Sequence, residues 1–429
     1  MSQTYADNRS YVDLLGSPRV FMHDINTLPM FSNIVSTVDA IEKYERVLPI
    51  SRSGDIVLTK VSPEKSYLQW LQSVGLGKGM VIVVKGSTNE TLPERAVKNG
   101  LRKKIDSYLG CEKTNANFCP YYGGQLENAA CRHLDLQMYA KTNLVKKYDS
   151  KINFNLLCKE ISVPVIDNII IKSDSDLSVD SLRLNFNKLK KLLSLTGKVI
   201  IKGEFGASGS TTSIVTSITS EMLEKLFLEA NNKGLQYIIE PLLPVSSSPS
   251  SLWFISRERT INHIRTSNQL LSDGGSVHVG NEFPVTFNEN KVKTLSLKIA
   301  KRLAQEGFIG PFGIDFVEYN NQFFAVECNP RVTGANYPWE LVYLLESTNG
   351  TRNPIKYARA ENIHLPKKGL NFNDLMELWK KYLYTGDSTN GILIPYNVGP
   401  LSSGKVTVLG TGSTMEELNE LFTYIKSFS

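Results

Sequence analysis

Two carboxylates, a carboxamide and a guanidinium fall close together in residues 310–338, GPFGIDFVEYNNQFFAVECNPRVTGANYP: Asp315, Glu327, Asn329 and Arg331. Glu327, Asn329 and Arg331 stand at alternate positions, so an extended chain places them on one face. Carboxylate and amide oxygens are the ligands that a hard cation such as Mg2+ prefers, and an arginine beside them offers a planar fork for phosphate. These residue types can hold a cation against phosphate. A half-buried hairpin whose acids meet solvent and whose Asn-Pro-Arg is a plain turn uses the same residues for no chemistry.

The elements that carry them decide between the two. Residues 313–319 and 323–328 are apolar, β-branched and aromatic and flank Asn320-Asn321, the pattern of an antiparallel hairpin. Acids in such strands are costly unless paired or bound to a cation. Glu318 falls on the face opposite Asp315. A plain two-residue turn pairs position 315 with 326 and sends Asp315 and Glu327 to opposite faces; a shared site needs 315 opposite 327. The spacing therefore predicts an odd loop or a bulge in this hairpin.

Upstream, residues 198–215, KVIIKGEFGASGSTTSIV, form an apolar strand ending near Lys202, a loop with Gly203, Gly206 and Gly209 among Ser208, Ser210, Thr211 and Thr212, and a second strand. Glycine lets backbone N–H groups approach phosphate, hydroxyls add donors, and Lys202, read as an exposed charge, supplies the cation. A Walker A loop opens a helix after GK[ST]; a loop between two strands folds over phosphate as a flap, or is merely a mobile surface loop. Residues 149–160 read as a helix capped by Asp149 or Ser150, with Lys151 in a first turn whose dipole prefers anions, so Lys151 is either solvated or holds an anion. Glu240 ends the apolar strand of 235–244, LQYIIEPLLP, and opens a proline-bracketed connector suited to an adenine edge. Arg257, Arg259 and Arg265 follow in a strand-like stretch, and Arg257, Arg265 and Arg331 are candidates for gripping a substrate carboxylate bidentately.

The 429 residues suffice for two or three domains, and 41% apolar with 21% charged residues is the balance of a globular chain. The net charge of +6 is spread over scattered lysines rather than a basic stripe, which argues against nucleic acid. Five cysteines (111, 119, 131, 158, 328) show no CxxC pair and no zinc spacing, as a reducing compartment permits. The polar start and the lack of an apolar run near the ~20 residues that span a bilayer lead to the expectation of a soluble, cytoplasmic protein without membrane partners. Residues 55–61 and 80–85 read as buried parallel strands around a helix over 63–74, with Gly75, Gly77 and Gly79 as helix stop and loop rather than a dinucleotide fingerprint. Residues 119–125 read as a closing loop, 128–145 as one helix, 221–231 as another, and 361–366 as a linker. The remainder reads as a small α/β cap with helices at 375–383 and from 415 and strands at 392–396 and 405–409, bearing no acid–base cluster.

Taken in order, DSKIN, VIIKGEFGASGSTT, YIIEPLLP, GPFGIDFVEY and FFAVECNPRVTG resemble the ATP-grasp superfamily across residues 149–345, and the flanks resemble those of its carboxylate–amine (peptide) ligases. The resemblance implies an α/β chain: an N-terminal pre-ATP-grasp domain (1–148), a two-part α+β ATP-grasp core (149–365) and a C-terminal cap (366–429). It implies ATP and Mg2+ as cofactors. Lys151 and Lys202 match the lysines on the ATP phosphates, Gly206, Ser208, Gly209, Ser210 and Thr211 the flexible loop, and Glu240 the adenine acid. Asp315, Glu327 and Asn329 match the Mg2+ ligands; Arg331, catalytic together with Lys202, matches the arginine near the γ-phosphate and acyl phosphate. In such enzymes a carboxylate attacks the γ-phosphate and an amine displaces phosphate, giving an amide, ADP and phosphate. That needs positioning and charge neutralisation more than a protein nucleophile. The family suggests amino-acid or peptide substrates; a homodimer is compatible with the sequence, which leaves the oligomeric state open. Carboxylase-like or kinase-like chemistry, and nucleotide binding without turnover, are the alternatives. Three departures stand out: Ser162 replaces a usual glycine at a helix end, no acid follows Glu240 until Glu258 for a ribose contact, and 257–281 matches no substrate pattern.

Overall fold

Short apolar runs alternating with helices build the first layer. The computed structural model describes all residues except 1–4, 7–8, 29–44, 99, 140–141, 174–175, 177, 207–210, 273–277, 349–353, 389 and 429. Strands Met80–Val83, Ile56–Thr59, Arg19–Met22, Asn117–Pro120 and Gln137–Met138 lie side by side in that order, all parallel. Helix Lys65–Ser73 lies within the expected 63–74 and turns Tyr67, Trp70 and Leu71 inward, with Leu68, read from the spacing as apolar-face, only partly buried, and Gly75 and Gly77 follow it with φ of 77° and 62°. The helix expected over 128–145 is instead two helices, Gln125–Leu134 and Thr142–Asp149, with a strand between them. The break is Asp135, whose φ of 57° ends the first helix in the left-handed region; an aspartate there gives a weaker stop signal than glycine.

Helix Gln125–Leu134 also buries Glu127, 2% exposed, with Oε2 lacking a hydrogen-bond partner among the described residues. Burial pushes its carboxyl up to about 7, against smaller opposing effects from Thr27 and backbone N–H groups. A carboxyl whose folded-state pKa is raised contributes stability that is fully present below its unfolded value and is lost as pH rises through about 7. Glu127→Gln is therefore expected to raise stability at pH 8 by up to ~3 kcal/mol and to flatten the loss between pH 5 and 8. Chemical denaturation across that range checks this; identical pH profiles for both proteins would contradict it.

The second layer is antiparallel, in the order Ile169–Ile171, Tyr237–Pro241, Val199–Gly203, Thr212–Val215. Helices Val179–Thr196 and Ser220–Lys233 cover one face with an apolar cluster of its own, including Leu189, Leu192, Leu223 and Phe227. Lys202 and Glu240 belong to its two middle strands.

The third layer is a nine-stranded sheet, running from Gln322–Asn329 through Gly310–Tyr319, Pro249–Ile255, Ile261–Leu271, His278–Phe283, Tyr357–His364 and Lys405–Gly412 to Ile392–Asn397, with Tyr5–Ala6 beside Ile261–Leu271. Residues 361–364, expected in a linker, are strand: all four pair with Lys405–Gly412, and Glu361 pairs with Gly280 on the other side as well. The charges along this strand are paired with other elements: Arg359, just before the expected linker, with Glu282 at 2.9 Å and Glu361 with Lys426 at 2.5 Å. The C-terminal strands thus complete the sheet that carries the acidic hairpin. Among the described residues no helix is long and apolar enough to cross a membrane.

Candidate functional site

The hairpin resolves the register question with a bulge. Asn320 and Asn321 form a two-residue turn with φ of 50° and 58°, and Tyr319 pairs with Gln322. Pairing runs regularly to Phe316 opposite Ala325, then slips by one residue, leaving Val326 unpaired and setting Asp315 opposite Glu327 and Gly313 opposite Asn329. The extra residue brings both acids to one face, and both border a cavity of about 780 Å³.

Several other elements contribute to that cavity. Helix Lys151–Glu160 is capped by Ser150 rather than Asp149; the Ser150 hydroxyl accepts from the Asn153 N–H and bonds the Glu204 carboxylate. This fixes Lys151 in the first turn, where its buried Nζ lies 3.1 Å from Glu327 Oε2 and 3.1 Å from the Gly206 carbonyl. Lys151 is therefore buried rather than solvated, and its partner in the structure is the Glu327 carboxylate. Lys202 faces the cavity but is not an exposed charge: its Nζ is 2.6 Å from buried Glu240 Oε2 across adjacent strands. Beyond Glu240, Pro241 to Val245 supply an apolar wall. Gly206 and Thr211 border the cavity from the glycine loop; Ser208, Gly209 and Ser210 lie outside the described residues.

Arg331 is buried, gives Nη2 to Asn329 Oδ1 at 2.7 Å, and stands 5.4 Å over the Tyr121 ring. Asn329 Nδ2 in turn donates to Asp315 Oδ2 at 2.9 Å and Glu327 Oε1 at 3.4 Å. Burial and the facing Glu327 charge push the Asp315 carboxyl up to about 7. Burial opposes the Glu327 charge too, but Lys151 and, more weakly, Arg331 and Lys202 outweigh it and hold that carboxyl below its usual range.

Two facing carboxylates that disfavour each other's ionisation suit a divalent cation, and Asp315, Glu327 and Asn329 fit such a group. Asn329 presents its N–H side to the acids, so offering its oxygen requires the amide to turn over and release Arg331. No cluster of three or more His, Cys, Asp or Glu that could hold a metal occurs among the described residues. Mg2+ commonly takes one or two carboxylates and completes its shell with phosphate and water.

Some expectations are corrected. Arg257 and Arg265 do not border the cavity. Arg257 is exposed, stands 4.5 Å over Tyr139 and donates to Asn117 Oδ1, while Arg265 packs 4.2 Å over Phe283 and 5.6 Å over Trp339. Their type invited the reading, and stacking on aromatic rings is an equally good use of it. Sequence reasoning also missed Arg46, Tyr121, Ser250, Gln269, Tyr396 and Thr407, all of which border the cavity. Ser250 pairs directly opposite Asp315 on the neighbouring strand, a contact no local spacing reveals.

Residues 180–335 match the family described as the ATP-grasp domain. No curated protein matches the chain in sequence. Among solved structures, the chain is similar to N5-carboxyaminoimidazole ribonucleotide synthetase from Thermus thermophilus, at 12% identity over 90% of this chain and 94% of that one, with a TM-score of 0.54. It is similar to carboxyaminoimidazole ribonucleotide synthase from Aspergillus clavatus complexed with ATP, at 12% identity, 97% and 100% coverage and a TM-score of 0.55. Biotin carboxylase from Campylobacter jejuni gives 13% identity, 90% and 87% coverage and a TM-score of 0.56. At these identities the likeness is one of fold.

Proposed function

We propose that this chain, whose residues 180–335 match the ATP-grasp domain, is an ATP-dependent carboxylate–amine ligase that works through an acyl phosphate and releases ADP and phosphate. The observation that carries this reading is the face-to-face Asp315–Glu327 pair, set by the bulge at Val326, with Lys151 on one acid and Arg331 linked to both through Asn329.

In this reading the adenine lies along the apolar connector after Glu240. Lys151, Lys202 and the glycine loop hold the phosphates as compact charges. Asp315, Glu327 and Asn329 would hold a Mg2+ ion, which when bound would supply charge neutralisation for the transferring phosphoryl group. Arg331, fixed by Asn329 and Tyr121, orients the carboxylate oxygen toward the γ-phosphate and stabilises the acyl phosphate. Excluding water from the site protects that intermediate from hydrolysis. The amine then attacks the acyl carbon, phosphate leaves, and the amine proton passes to solvent or to phosphate. Amino-acid and peptide substrates are suggested only by the family resemblance in the sequence.

A second reading makes bicarbonate the phosphorylated acid, and its support is the presence of a biotin carboxylase among the fold relatives. ADP release from Mg·ATP separates the two when measured with amino acids, small carboxylates and bicarbonate, each alone and paired with amines. The ligase reading expects acid-dependent ADP release that an amine accelerates, and a hydroxamate when hydroxylamine replaces the amine. Full-rate ADP release with no acid would sink it, and activity confined to bicarbonate would select the second reading. Tight Mg·ATP binding with no ADP in any combination would leave a nucleotide-binding protein without turnover.

A further inference from the structure

The cavity wall opposite in chemistry to the acidic pair carries Arg46, a side chain no sequence motif singles out. It is 5% exposed and borders the cavity together with Asn362, Tyr396 and Thr407. Its Nη2 reaches Asn362 Oδ1 at 3.5 Å and Thr407 Oγ1 at 3.4 Å, the outer limit of a hydrogen bond, and its Nε is buried with no partner among the described residues. Asn362 and Thr407 are already satisfied by each other at 2.9 Å. Arg46 forms no ion pair with any described carboxylate. The adjacent Glu45 lies against Gly399, and the cavity-facing Glu361 is paired with Lys426. Two other buried or part-buried arginines are closed by acids: Arg19 by Asp55 at 2.8 Å and Arg52 by Glu340 at 2.6 Å.

A guanidinium taken out of water without a counter-charge is costly, and the cost is relieved when an anion arrives. The cavity that Arg46 and Gly334 both border leaves room for one. Gly334 faces Arg46, where even a Cβ would stand only 3.4 Å from Nη1, and Arg331 precedes it by three positions in the same loop. The two arginines are thus offered to one cavity, one tied to the acidic pair through Asn329 and the other amid neutral amide and hydroxyl groups.

We propose that Arg46 anchors a second, non-reacting anionic group of a substrate, a carboxylate or a phosphate. The substrates are then small molecules carrying an anion besides the carboxylate that is activated. Calling that group non-reacting rests on the ligase reading; the anion site itself rests on Arg46 and its surroundings. The fork geometry of arginine favours a planar carboxylate or two phosphate oxygens equally, so the probes must tell them apart.

The test compares wild type, Arg46→Gln and Arg46→Lys as full chains. Inorganic phosphate and glutarate are titrated by calorimetry in the presence of Mg2+ and a non-hydrolysable ATP analogue, which fills the phosphate grips near Lys151 and Lys202. Wild type is expected to bind at least one probe, with the preferred one identifying the anion, and Arg46→Gln to bind it at least about tenfold more weakly. Arg46→Lys, which keeps the charge but loses the fork, should retain more phosphate than glutarate affinity. Analogue binding should be equal in all three, and the melting temperature of Arg46→Gln should match or exceed wild type. Unchanged anion affinity in Arg46→Gln, no binding of either probe by wild type, or a lowered melting temperature marking a structural guanidinium would each overturn the proposal. If wild type does not bind the analogue, the nucleotide reading fails by itself. The anion titration, repeated without analogue and with Lys202→Met as a control for the other cationic site, then still judges Arg46.

Discussion

Replacing Glu327 by glutamine is expected to lower turnover by about a thousandfold or more while Mg·nucleotide binding stays measurable. The side chain keeps its size but loses the charge that Lys151 contacts at 3.1 Å, so Lys151 is freed from its partner and remains available to phosphate. What is lost is half of the facing acid pair, and that pair matters most when charge builds on the transferring phosphoryl group. Asp315, relieved of a like charge across the strand, should then ionise more readily than in the wild type. The signature is a fall in kcat with a much smaller change in nucleotide affinity. Turnover near wild type would mean that the acid pair is structural.

Lys202→Met is expected to have the second-largest effect, and on two properties at once. The lysine is paired with Glu240, a 4% exposed carboxylate, so the substitution leaves a buried acid without its cation and should destabilise the fold by roughly 3–5 kcal/mol. It should also weaken nucleotide binding and abolish turnover, since a fixed charge on the phosphates is gone. Stability and function can be separated with the double variant Lys202→Met/Glu240→Gln. Removing both charges restores most of the melting temperature, whereas nucleotide binding stays lost. Recovery of nucleotide binding in the double variant would show that Lys202 serves Glu240 and not phosphate.

Much of this site is legible in the sequence because its members sit in short, strongly patterned elements. The hairpin of 313–328 is written in apolar alternation and an Asn-Asn turn, and counting positions across that turn already demands an irregularity, which the structure supplies at Val326. Ser162, in place of a glycine at a helix end, does adopt the left-handed conformation, with φ of 55°. The Lys151 environment is half legible: helix dipole reasoning marks the charge as misplaced, but only the fold shows Glu327 beside it.

What is not legible depends on contacts between segments far apart in the chain. Arg46 meets Asn362 and Thr407, and Ser250 faces Asp315, through sheet order that local spacing does not encode. Residues 361–366 read as a linker, and what makes 361–364 a strand is not local: Glu361 is paired with Lys426 and the neighbouring Arg359 with Glu282, both on other elements. The same blindness makes Arg257 and Arg265 look like substrate grips and Lys202 like a free surface charge. In each case the residue type reads correctly for charge and wrongly for what neutralises or covers it.

The central claim is that a carboxylate oxygen attacks the γ-phosphate, and following that oxygen tests it most directly. With the substrate pair that supports ADP release, the carboxylate is labelled with 18O, and the released phosphate and nucleotide are analysed by mass. The account expects unlabelled ADP, and phosphate carrying one oxygen from the carboxylate for every amide formed. Phosphate without label, or AMP and pyrophosphate as products, would contradict it.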